Sequence, residues 1–190
     1  MSLKQTIFEV RRFVRDTRAI AAVEFALILP FLLILLIGVA ETTSALNHSR
    51  KVSQIAGSVA DLVAQAEQLS AAEAQDIMTA SNEILAPYTT ATLQVIIASV
   101  TFDEDGNPEV DWSIDQDGDT PWARGSEPTI EIPDQVALPG TSIVIGQSFY
   151  TYIPMFATLA QNIFPRATAI PMGDVYFLRP RLTNKVLYTG

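Results

Sequence analysis

The chain has 190 residues, of which 48% are hydrophobic and only 17% charged, and its net charge is −9. That balance excludes a chain disordered throughout, and the acidic excess argues against nucleic acid as a partner. With no cysteine, disulfide scaffolds, thiolate zinc sites and cysteine nucleophiles are excluded, and a triad or multi-histidine site would have to be built on His48 alone.

The averages cover three unlike segments. Residues 1–18 form a basic leader. Lys4, Arg11, Arg12, Arg15 and Arg18 stand against Glu9 and Asp16, a net +3. Residues 19–40 (AIAAVEFALILPFLLILLIGVA) hold one charge, Glu24. Residues 41–190 hold seven basic and eighteen acidic residues, and no Lys or Arg occurs between Lys51 and Arg124.

The second segment sets the class. Its 22 residues make about 33 Å of helix, which matches a hydrocarbon core of about 30 Å. A helix is the form in which a single segment can span, because its backbone groups are satisfied internally. Pro30 removes one donor and predicts a mild kink. Basic residues crowd before the span and are absent just after it. The positive-inside rule puts the N-terminus in the cytoplasm and residues 41–190 on the other side. A cleaved secretory signal is the alternative, with Gly38-Val39-Ala40 as the small-x-small site. The long basic region and long apolar run speak against it. Either way the C-terminal part is exported.

Glu24 asks for an explanation. A carboxylate in a membrane helix costs about 3 kcal/mol at the bilayer centre and less near the interface. Either it has a functional partner, or it snorkels towards water or Arg18.

The run Arg18–Leu33 (RAIAAVEFALILPFLL) resembles the N-terminal signature of the TadE/TadG-like family. These are minor pilin-like (pseudopilin) components of bacterial tight-adherence, or Flp type IV, pilus systems. In pilin-like families a prepilin peptidase cuts the leader after a small residue, and a glutamate lies fifth in the mature chain. The resemblance therefore implies a processing site between Ala19 and Ile20, where the family usually has glycine before the cut. It also implies that Glu24, followed by Phe25, is a register and assembly carboxylate. Its cation would be the α-amino group of a neighbouring subunit. Implied partners are membrane lipid, other pilin-like or Tad secretion-machine subunits met through the N-terminal helix, and a prepilin peptidase. The implied place is the bacterial inner membrane.

Beyond Ala40 the helix should continue. Val52, Ile55, Val59, Leu62, Val63, Ala66 and Leu69 recur at helical spacing, an amphipathic pattern. His48 reads as an interfacial helix residue. Ser70-Ala-Ala-Glu73 is a capping box opening a second helix, which Pro87 ends. Then the period changes. Thr92–Phe102 reads as a buried strand and Asp103–Pro108 as a turn. Val110, Trp112 and Ile114 alternate with polar residues, a strand with one wet face. Residues 115–140 are irregular. Thr141–Tyr152 is a third strand, Pro154–Pro165 an apolar excursion, and Ala167–Leu178 a fourth strand whose Pro171 favours an edge. The expected fold is α+β: a long N-terminal transmembrane helix continuing into an amphipathic helix, a second helix, then a small antiparallel sheet, a pilin-like order. The corresponding segments are a leader over 1–18, a span over 19–40, helices over 41–87 and a β-rich domain over 88–190. Trp112-Ser113, Phe149–Pro154 and Leu178–Arg181 add looser resemblance to the same family.

Acidic residues crowd between Asp103 and Asp119, but the glycines fall at the wrong positions for an EF-hand loop. Asp and Gly used for turn geometry explain the cluster, with an irregular calcium site as the alternative. No phosphate loop, nucleophile elbow or zinc-protease motif is present. The expected function is that of a single-pass pilus assembly protein of the TadE type, not an enzyme, with no cofactor and no metal. The alternative is a membrane-anchored extracytoplasmic binding or adhesion module.

Overall fold

The structure, a computed structural model, describes residues 17–156 and 169–190. The basic leader over residues 1–16 and most of the apolar excursion fall outside the described residues. The chain divides into two compact units, Met1–Thr43 and Ser44–Gly190.

Helix α1 runs Thr17–Ala64, with Pro30 inside it. In the first unit its large apolar side chains, from Ile20 to Val39, stand exposed. Thr42 and Thr43 turn their hydroxyls back onto the carbonyls of Gly38 and Val39, so the threonines that follow the apolar run are satisfied within the helix. Among the described residues one helix is thus long and apolar enough to cross a membrane.

In the second unit α1 is amphipathic. Val52, Ile55, Ala56, Val59, Ala60 and Val63 are fully buried on one face. The helix stops at Ala64, short of the expected Leu69. There the Arg181 amide donates to the Ala64 carbonyl, which would otherwise lack a partner at a helix end. Leu69 is buried none the less, in a two-residue strand β1 (Gln68–Leu69) paired in parallel with β6 (Leu187–Tyr188). Between lies helix α2, Ala71–Leu85, opened by the Ser70–Glu73 capping box.

The main sheet is antiparallel, in the order β3-β2-β4-β5. Its strands are β2 (Gln94–Phe102), β3 (Pro108–Asp115), β4 (Ser142–Tyr152) and β5 (Ile170–Leu178). The α+β expectation is met, with each strand close to its predicted place. Pro171 lies on the edge strand β5, where a missing donor costs no ladder bond to a central neighbour.

One expectation is corrected. β3 does not have a wet face. A bulge in β3, opposite Ser99 and Val100 of β2, shifts the register and leaves Asp111 as the extra residue between the pairs Ser99–Trp112 and Val100–Val110. Val110 then joins one core cluster, and Trp112 and Ile114 the other. The first cluster lies between α1, α2 and the sheet. The second lies under the irregular stretch, where Trp122, Ile130, Ile132 and Val136 pack on Ala98, Phe102 and Ile145. Ser113, which alternation would expose, is buried and exchanges hydrogen bonds with the Trp122 backbone. Helices cover one side of the sheet and a loop covers the other.

Candidate functional site

The residues singled out in the sequence lie at the start of α1. Ala19, Ile20, Glu24 and Phe25 are all within the helix. The Ala19–Ile20 bond lies near the start of the described part of the helix.

Glu24 is exposed, as are Ile20 and Phe25. At steps of three and four it is bordered by Ile20, Ala21, Leu27 and Ile28, all apolar. Among the described residues Glu24 has no hydrogen-bond or ion-pair partner. A carboxylate in an apolar ring, with no cation beside it among the described residues, is open to an intermolecular ion pair.

His48 is buried among aromatic rings. Nδ1 donates to the Ser44 carbonyl at 2.8 Å, and the ring packs on Tyr88, Tyr152 and Tyr150 at centroid distances of 3.7, 4.6 and 5.6 Å. Burial pushes the Tyr150 phenol up from its ordinary pKa.

The acidic turns spend their carboxylates on the backbone. Asp103 accepts from the amides of Asp105 and Asn107 and from the Asn107 side chain. The Asn107 side-chain amide, then its backbone amide, holds Asp103 below the ordinary carboxylate range. Asp115 accepts from the amides of Asp117 and Asp119. Gly106 and Gly118 take the positive φ, +86° and +84°, that each turn requires. Among the described residues no group of three metal-ligating side chains is assembled.

One polar cluster had no signal in the sequence. Asp111, at the bulge, accepts from the hydroxyls of Ser99 and Thr101 and is ion-paired with Lys185. Beside it a cavity of about 370 Å³ is bordered by Trp112, Trp122, Arg124 and Tyr188. Lys185 is 74 residues from Asp111, so nothing local announces the pair. It ties the C-terminal tail to the sheet, with the Trp112 indole N–H donating to the Val186 carbonyl at 2.8 Å.

Among the described residues a lone carboxylate on an exposed apolar helix and a helix-on-sheet unit define the class: an α+β chain with one candidate membrane helix. Residues 19–61 match the model of the TadE-like protein family, which bears out the resemblance read from Arg18–Leu33. The match takes in the apolar helix, Glu24 and the first half of the amphipathic stretch, and leaves the sheet outside it. No curated protein and no solved structure matches the chain.

Proposed function

We propose that this is a single-pass inner-membrane pilus assembly protein, a minor pilin or pseudopilin of the tight-adherence type, and not an enzyme. The N-terminus is cytoplasmic and the α+β unit lies on the far side. The observation that carries the reading is Glu24: an exposed carboxylate, unpaired among the described residues, in a helix that matches the TadE-like family.

The mechanism follows from the energetics of that group. In hydrocarbon a carboxylate is costly unless a cation meets it. Cutting between Ala19 and Ile20 creates an α-amino group one helical turn before Glu24. A chain's own amine and a neighbour's can then alternate with carboxylates along a helical bundle. Each pair is lost if the helices slip, so the pairs fix axial register, the best attested use of buried polar groups. The surrounding Leu and Ile side chains supply packing without direction. The partners are therefore other pilin-like or secretion-machine subunits, with a prepilin peptidase acting first.

Intact mass of the protein from its native membrane tests this. The account expects a chain of residues 20–190. A chain beginning at Glu41, cut after Ala40, would show an exported domain without an anchor and would end the proposal.

A further inference from the structure

The cavity beside Asp111 lies within the second unit, and the fold fixes its walls. The Trp112 indole N–H is tied to the Val186 carbonyl, and the Tyr188 ring stacks on Trp112 at a centroid distance of 5.5 Å. The Ser113 hydroxyl holds the Trp122 backbone, accepting from its amide and donating to its carbonyl. The volume, about 370 Å³, falls in the lower part of the range for small-molecule sites, about 300–1,000 Å³. Such sites join aromatic walls to a few placed polar groups.

The polar groups here are unbalanced. Asp111 has spent both carboxylate oxygens, one on the Lys185 ammonium and the other on the Ser99 and Thr101 hydroxyls. Arg124 is exposed, and its side chain, like the Thr120 and Tyr188 hydroxyls, has no partner among the described residues. Lys185 keeps N–H donors beyond the one that meets Asp111. The cavity therefore offers a guanidinium, an ammonium and two hydroxyls, with no carboxylate left to accept. Residues 41–190 hold eighteen acids against seven bases, so two cations at one cavity run against the charge of the whole unit.

We infer that this cavity binds an acidic sugar residue, with its carboxylate on Arg124 and Lys185 and its ring against the wall of Trp112, Trp122 and Tyr188. A guanidinium fork meets a carboxylate in two parallel hydrogen bonds. A sugar ring is compact, has an apolar C–H face for an aromatic wall, and carries oxygens that accept from Thr120 and Tyr188. An acidic peptide fits less well. An extended peptide docks by adding to a sheet edge, and β3, the edge strand beside the cavity, is already engaged there. The Gly125 amide donates to the Val110 carbonyl, and the Val110 amide to the Ser126 carbonyl. The site stands whether or not α1 spans a membrane, since no residue bordering it precedes Asp111.

Trp112 and Trp122 are the chain's two tryptophans, so intrinsic fluorescence reports on the cavity without a label. The full chain in phosphatidylcholine nanodiscs is titrated with trigalacturonate, with neutral maltotriose and with triglutamate. Trigalacturonate should give a saturable change in tryptophan fluorescence, with a midpoint about tenfold or more below those of the other two. Arg124→Gln should raise that midpoint by about tenfold or more, while the emission of the free protein and its denaturant midpoint stay unchanged. Arg50→Gln, at an exposed cation of α1 that does not border the cavity, should leave it as it was. Equal binding of maltotriose would show that the cations take no part, and would overturn the inference. Tighter binding of triglutamate would make the ligand a peptide, and equal losses in Arg50→Gln and Arg124→Gln would reduce the effect to general charge attraction. Either result, or no saturable change with any of the three, overturns it as well.

Discussion

Ser70 and Glu73 show how much two residues can specify. The Ser70 hydroxyl accepts from the Glu73 amide, and the Glu73 carboxylate accepts from the Ser70 amide and hydroxyl. The Ser70 amide, then its hydroxyl, holds the Glu73 carboxyl below its ordinary pKa. Ser70→Ala should cost about 1 kcal/mol, read as a lower urea midpoint. The folded pKa of Glu73 is lowered, so its stabilisation is present above the unfolded value, about 4.3, and is lost as pH falls through the folded one. Asp103 acts in the same direction. Acid unfolding of a Glu73→Gln, Asp103→Asn double variant should therefore begin from a less stable protein at pH 7 but show a shallower loss below pH 4. An unchanged pH slope would contradict this. Lys51 is the counterpart at the other end of α2. Its ammonium donates to the carbonyls of Ile84 and Ala86 at 2.8 and 2.7 Å. Lys51→Met should cost about 1.5–3 kcal/mol, the range for hydrogen bonds to charged groups, with little change in α1. The capping box was legible from two letters three places apart. The Lys51 cap was not, because its partners lie 33 and 35 residues away.

At the scale of elements, helix and sheet approach closely at Gly146. A Cβ built there would collide with the Ala56 carbonyl oxygen and come within 2.9 Å of Ala60. Two small alanines on α1 and a glycine on β4 let the backbones approach. Ser148, two residues on, donates its hydroxyl to the Val52 carbonyl at 2.8 Å. Gly146→Ala should force the layers apart and cost about 1–3 kcal/mol, as overpacking does. Thermal unfolding of the variant, with Gly38→Ala as a control where an added Cβ meets nothing, checks it. The elements themselves were readable where periodicity was long. α1, α2 and the strands of the main sheet rest on runs of nine residues or more, except β3 at eight. The failures have physical reasons. Alternation in β3 predicts a wet face only for an unbroken ladder, and the bulge at Asp111 breaks it. The pair β1–β6 is two residues long, too short for any period, and is held by the Leu187 and Thr189 amides, which donate to the Glu67 and Leu69 carbonyls. The packing of His48 on three tyrosines was not legible either, because Tyr88, Tyr150 and Tyr152 lie far from it in the chain.

For the whole molecule, net charge misleads, because −9 is the sum of a basic leader, an apolar run and an acidic unit. The second unit has two core clusters, one on each side of its sheet, and needs no disulfide. Stability and function are thereby separated. The fold rests on residues after Ser44, while the candidate site rests on four residues at the start of α1. Substitutions at Glu24 should leave the unfolding of the second unit unchanged, measured by its denaturant midpoint. The measurement that decides the account is made in the native cell, on a Glu24→Gln variant of the full chain. The account predicts that the variant inserts in the membrane at normal abundance and is cut between Ala19 and Ile20, yet pili are not assembled. Normal pilus assembly by Glu24→Gln would contradict it, and would leave the carboxylate a bystander at the edge of the bilayer.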